Sequence, residues 1–150
     1  RMIRVATEDD IPRMLELGRQ LHDESRFSVY PLNEQRTIDF FKMVINGGST
    51  CAFVSIQKGE IVGGFMGGVS DHWSCDLITA FDYSLFIDKA HRNGTTAIKL
   101  IVAFETWAEE MNADEMTIGI TTGVNTEGTT RLYESLGYKQ VGPMFTRRIF

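Results

Sequence analysis

Between residues 84 and 101 the chain reads SLFIDKAHRNGTTAIKLI: an apolar alternation, a polar turn of Arg92, Asn93, Gly94, Thr95 and Thr96, then a helical repeat. A strand that ends in a tight polar turn and opens a helix presents unpaired backbone N–H groups at the positive end of the helix dipole. Such a place suits an anion, with phosphate the obvious guest. The same spacing also describes an ordinary loop in which Thr95 or Thr96 merely caps the helix. The turn has no Gly-Lys pair followed by Ser or Thr, and no three-glycine fingerprint, so it supports neither a P-loop nor a dinucleotide fold.

The elements that must position this turn follow from periodicity. Ile3 and Val5 give a short first strand; a helix capped by Thr7 then carries Ile11, Met14, Leu15, Leu17 and Leu21 on one stripe. After the aromatic loop RFSVYP, Asn33 caps a second helix that stops at Gly47 and Gly48. Two β-rich runs around Lys58-Gly59 predict a hairpin, and LITAFDYSLFID adds a third strand, so the three form a meander. From Thr95 to Met111, Ala97, Ile101, Phe104 and Ala108 recur at three and four residues. EMTIGITT reads as a strand, Asn125 to Gly137 as a helix, and YKQVGPMFTRRIF as a terminal strand or hairpin interrupted at Pro143. The fold class is therefore mixed α/β (α+β), a mostly antiparallel central sheet flanked by about four helices, in one domain over residues 1–150.

With 150 residues, 43% of them hydrophobic, the chain can bury a full core. Its net charge of −5 argues against a phosphate-backbone binder, so nucleic acid is a disfavoured partner and a cationic or neutral one is favoured. Cys51 and Cys75, read as lying in apolar surroundings, have neither metal nor redox spacing, which points to reduced thiols in a cytoplasmic protein. No apolar run approaches a membrane span, and no His/Cys/Asp cluster has metal-ligand spacing.

The segment from Leu85 to Tyr138 resembles the GNAT superfamily of acyl-CoA-dependent N-acyltransferases. Leu85, Phe86, Ile87 and Asp88 match the family's motif strand; Arg92 matches the first position of the turn motif and Ala97 the last. The family's central glycine falls on Thr95, with Gly94 one place early. Downstream, Asn125 opens a segment in which Leu132-Tyr133 and Gly137-Tyr138 stand where the family has its Leu-Tyr and Gly-aromatic pairs.

The resemblance implies acetyl-CoA as cosubstrate, no metal, and an amine-bearing acceptor, small molecule or protein. It places cofactor binding at Phe86, Ile87 and Asp88, whose main chain would pair with the pantetheine arm and polarise the thioester, and at Arg92, Asn93, Gly94, Thr95, Thr96, Ala97 and Asn125. Tyr133 matches the family's frequent general acid; read from periodicity alone, it is an amphipathic-helix residue beside Leu132 and Leu136. A phenol stays protonated at neutral pH and can donate to a departing thiolate. The amine must lose a proton, and Asp82, Asp71 and His72 are the candidate acceptors. Asp82 alternates in phase with Ser84 and Phe86, so the three are expected on one face. Phe27 and Tyr30, in the loop between the first two helices, are expected to meet the acceptor along with Asp71 and His72. The rival expectations are a non-catalytic acyl-CoA-binding or interaction module of the same fold, and a small nucleotide-phosphate binder. The apolar terminal segment predicts a homodimer.

Overall fold

The computed structural model describes residues 2–92 and 95–149. Its elements run β1 (Met2–Val5), α1 (Ile11–Glu24), α2 (Glu34–Asn46), β2 (Thr50–Gln57), β3 (Glu60–Asp71), β4 (Ile78–Ile87), α3 (Thr95–Glu110), β5 (Glu115–Thr117) and α4 (Thr126–Ser135). Short 3-10 turns precede α1, follow it, and follow β4. The five strands form one sheet in the order β1-β2-β3-β4-β5, antiparallel except for the parallel β4–β5 pair.

Local chemistry accounts for the boundaries. The Thr7 N–H donates to the Asp10 carboxylate at 2.8 Å, and Arg4 holds the same carboxylate at 2.7 Å, which anchors the entry to α1. Asn33 accepts from the Arg36 N–H at 2.9 Å and starts α2. Lys58 and Gly59 both have positive φ, 51° and 77°, the geometry a two-residue hairpin between β2 and β3 requires.

Hydrophobic side chains divide between the two faces of the sheet. Met14, Leu17, Phe41, Val44, Met66 and Phe86 pack under α1 and α2. Phe65, Ala80, Leu100, Ile101, Phe104 and Tyr133 pack under α3 and α4. The α3 stripe expected from its spacing is buried at Ala97, Ile101, Phe104 and Ala108, and Leu100, outside that stripe, is fully covered beside it.

Two expected elements differ. EMTIGITT forms only the three-residue β5, because beyond Thr117 its backbone groups find side chains and not the β4 backbone: the Gly119 N–H donates to the Asp82 carboxylate, and the Thr121 carbonyl accepts from Arg26. The expected terminal strand is absent among the described residues. Pro143 removes one ladder donor, and Val141, Met144, Phe145 and Ile149 stand 76–91% exposed. Cys51 is buried as expected, but Cys75 is exposed in the β3–β4 loop and not set among apolar groups.

Candidate active site

A bulge in β4 builds the site. Met66 of β3 pairs with Ser84 and its neighbour Gly67 pairs with Asp82, so Tyr83 is an extra residue in the ladder. Tyr83 turns toward α2, where its ring meets Phe40 and Phe81 edge-on at 4.9 and 5.2 Å. The extra residue breaks the alternation. Ser84 and Phe86 share the α1–α2 face, whereas Asp82 shares the α3–α4 face with Ala80. The expectation that Asp82, Ser84 and Phe86 line one face is therefore corrected.

Asp82 stands where the sheet divides. β4 and β5 pair only over Thr79–Phe81 and Glu115–Thr117. One residue further, the Gly119 N–H donates to Asp82 Oδ1 at 3.3 Å, and the two chains part. The gap is a cleft of about 410 Å³, walled by Leu85 and Ile87 of β4, residues 119–122, Ala97 of α3, and Leu132 and Tyr133 of α4.

The edge that β4 offers this cleft follows from its hydrogen bonds. The Asp88 N–H donates to the Val62 carbonyl at 2.9 Å, so Asp88 and Phe86 point their main chain at β3, and Leu85 and Ile87 point theirs outward. Of the three positions expected to bind the cofactor by their main chain, Ile87 faces the cleft. Phe86 is buried in the α1–α2 core, and the Asp88 carboxylate is held by Arg13 at 3.0 Å; burial pushes its pKa up, but the Ala90 N–H, Gln20 and Arg13 together hold it below its ordinary range.

Tyr133 and Asp82 face each other electrostatically across the vertex. Burial first, and the Asp82 charge second, push the Tyr133 hydroxyl up to about 12. Burial likewise raises the Asp82 carboxyl, while the Gly119 N–H pulls it down. Behind Tyr133, at 6.1 Å between ring centroids, lies Tyr138, whose hydroxyl donates to Glu105 at 2.8 Å. No hydrogen bond reaches the Tyr133 hydroxyl from the described residues, so its proton is available to a guest in the cleft.

The polar turn is only partly as expected. Asn93 and Gly94 lie outside the described residues. Thr95 begins α3 and is exposed, and Ala97 lines the cleft. Thr96 is 1% exposed and turned inward, such that a Cβ on Gly63 would lie 3.3 Å from its methyl group. Arg92 borders the cleft, but its guanidinium already grips Glu24 at 2.8 and 3.1 Å and the Ile87 carbonyl at 2.9 Å. Asn125, at φ 44°, precedes α4 without a capping hydrogen bond from its side chain and lines the cleft.

The structure does not bring Asp71, His72, Phe27 and Tyr30 into the cleft. Asp71 ends β3 and His72 sits in the exposed β3–β4 loop, beyond the paired stretch of β4. Phe27 carries the Arg26 guanidinium 4.2 Å above its ring, and Tyr30 is 41% exposed. The sequence reading missed Leu85, Leu21 and residues 119–122. The alternation of Leu85 with Phe86 held the signal for the first, and Gly119 inside an apparent strand held it for the last.

The acetyltransferase (GNAT) family matches residues 15–138. The chain belongs to the GNAT acetyltransferases. Among solved structures, a mutant of the BH1408 protein of Bacillus halodurans is similar at 18% identity and a TM-score of 0.83, over 99% of this chain and 100% of that one. AAC(6')-Iy in complex with the bisubstrate analog CoA-S-monomethyl-acetylneamine is similar at 17% identity and 0.79, over 98% and 96%; it is also known in complex with CoA. An aminoglycoside acetyltransferase from an uncultured soil metagenomic sample is similar at 17% identity and 0.74, over 99% and 98%. A comparison with curated proteins gave no match. Among the described residues no group of three or more His, Cys, Asp or Glu is placed to hold a metal ion, and no helix is long and apolar enough to cross a membrane.

Proposed function

We propose that this GNAT protein is an N-acetyltransferase that moves an acetyl group from acetyl-CoA to a primary amine by direct attack, with Tyr133 as general acid. The observation that carries the reading is the cleft opened by the bulge, with a β4 edge at Leu85 and Ile87 that β5 does not reach on one wall and Tyr133 with Asp82 at its vertex. The cleft fits a pantetheine-like arm, because an extended amide chain can pair with that edge as a further strand would. The N-terminus of the 16-residue α3, beyond the mouth, suits its phosphates.

Acetyl-CoA supplies an activated thioester. The amine nitrogen bonds to the carbonyl carbon, the carbon–sulfur bond breaks, and two protons move. The Ile87 or Leu85 N–H faces the carbonyl oxygen as it gains charge. Asp82, whose burial makes it a stronger proton acceptor than a free carboxylate, is positioned to take the amine proton, directly or through water. Tyr133 gives its proton to the thiolate that leaves. The chain's net charge of −5 favours approach of a cationic acceptor, of the kind that AAC(6')-Iy and the soil enzyme are named for.

Thiol release across a panel of amines, including aminoglycosides, polyamines and peptides, tests the reading. At least a tenfold fall in Tyr133→Phe supports it; no release with any amine favours a non-catalytic acyl-CoA-binding module.

A further inference from the structure

The end of α1 touches both sides of the cleft within three residues. Glu24 holds the β4–α3 side: its carboxylate takes both terminal nitrogens of Arg92, at 2.8 and 3.1 Å, and Lys89 at 3.3 Å. Arg26 holds the opposite side. Its backbone N–H donates to the Thr122 carbonyl at 2.9 Å and its Nε to the Thr121 carbonyl at 2.6 Å. Between them Ser25 is 5% exposed and fixed in place: its hydroxyl donates to the His22 carbonyl at 2.9 Å and accepts the Phe27 N–H at 3.1 Å. Arg92, Thr121 and Thr122 all line the cleft, as does Leu21 one turn earlier on α1.

We propose that residues 24–26 form a strap across the mouth of the cleft, setting the distance between its two sides, with Glu24 and Arg26 as positioning residues. The physical need is plain. At the vertex the sides are joined by β4–β5 pairing and by Asp82 with Gly119, but residues 119–122 have left the sheet, and their carbonyls need donors from elsewhere. Arg26 supplies two N–H groups to neighbouring carbonyls, and the charge-assisted bonds of Glu24 tie the same short segment to the other side. Cleft width is then a property of the start of the α1–α2 loop, although Phe27 and Tyr30 further along it lie outside the cleft. The consequence for donor binding rests on the acetyl-CoA reading; the strap itself does not.

Amide hydrogen exchange on the free protein tests the strap directly. Arg26→Ala and Glu24→Gln should each speed exchange of residues 118–124 about fivefold, as loss of a charged hydrogen-bond partner at an exposed site implies, and leave β2 and β3 unchanged. The double variant should do no more than the stronger single one, because a strap cut at either end is already released. In turnover, KM for acetyl-CoA should rise about fivefold with kcat within about twofold, and Arg26→Lys should recover part of the loss. Unchanged exchange at 118–124 in both single variants overturns the strap, as does a fall in kcat at constant KM. Faster exchange in the variants of a protein that does not bind CoA in titration calorimetry would uphold the strap and remove the acetyl-CoA reading.

Discussion

Asp82 and Gly119 meet at 3.3 Å at the last point where β4 and the chain beyond β5 are joined. The carboxylate serves as a strand partner to the Gly119 N–H while keeping a negative charge beside Tyr133. Burial raises its pKa above the ordinary 3.8, so the folded state binds this proton more tightly than the unfolded chain does. That contribution to stability is complete below the ordinary value and is lost as the pH rises through the raised one. Asp82→Asn keeps an acceptor for Gly119 and removes the charge. It should raise Tm at pH 7.5 by about 2–4 °C, the shift that about 1 kcal/mol produces in a chain of this size. The gain should close toward pH 4, while kcat at neutral pH falls at least tenfold. A lower Tm at pH 7.5 in scanning calorimetry would contradict the electrostatic account.

Tyr133 leads to a prediction on the alkaline side. Its hydroxyl is raised to about 12, so the phenol remains a proton donor well beyond the ordinary tyrosine range. The sign is that of a neutral group favoured by folding: the stabilisation holds below pH 10 and is lost toward 12. The kcat profile should show no descending limb below about pH 10 that Tyr133→Phe removes. A limb near pH 9 that vanishes in that variant would mean that the phenol titrates as if exposed.

Most of the fold is legible in the sequence because its strongest signals are periodic. The α3 stripe and the Lys58-Gly59 turn each set an element by local rules, and the structure agrees. What is not legible comes from pairing. A one-residue bulge at Tyr83 leaves no mark in composition, yet it moves Asp82 to the opposite face from Ser84. Tyr133, singled out by the motif, lines the cleft, and Asp82 lines it too, but by way of the bulge and not by the alternation with Ser84 and Phe86 that had pointed to it. The commitment of Arg92 to Glu24, 68 positions earlier, depends on a tertiary contact that no local pattern encodes.

Gly67 marks the bulge and carries a packing prediction. A Cβ there would collide with the Phe81 carbonyl, fixed in the β4 ladder, and lie 2.5 Å from the Phe104 ring, fixed in the core. Gly67→Ala should lose about 3 kcal/mol in urea denaturation, the upper end of ordinary overpacking. Gly48→Ala, where no atom lies within 4 Å, should stay within about 0.5 kcal/mol. Equal effects at the two sites would show that the bulge can relax around a methyl group.

Thr95 occupies the position where the GNAT turn carries glycine, at the exposed start of α3. On the acetyl-CoA reading proposed above, a side chain there would crowd a phosphate approaching the backbone N–H groups. Thr95→Gly should tighten CoA binding about threefold in titration calorimetry, at a cost of no more than about 1 kcal/mol to the helix. Weaker binding would mean that the threonine contributes to the site.

The terminal segment supports the last prediction, a homodimer. Val141, Met144, Phe145 and Ile149 are 91, 76, 87 and 86% exposed, so one copy of the chain leaves four large apolar side chains in water within nine residues. Packing of those side chains against α3 of the same copy is not what those exposures describe. The segment is tethered before it begins, by the Tyr138 hydroxyl on Glu105 and the Tyr138 N–H on the Tyr133 carbonyl, and near its end Arg148 lies 5.4 Å over the Tyr30 ring. Among the described residues no further strand pairs with the outer edge of the three-residue β5. We propose that a second copy covers the segment, because an exposed apolar run of this density is what a self-complementary interface hides. Light scattering at micromolar concentration should give about twice the chain mass of 16.9 kDa, and Met144→Asp with Phe145→Asp should return it to the single value. A single-chain mass at every concentration would rule out the dimer, and a dimer untouched by the double substitution would move the interface elsewhere.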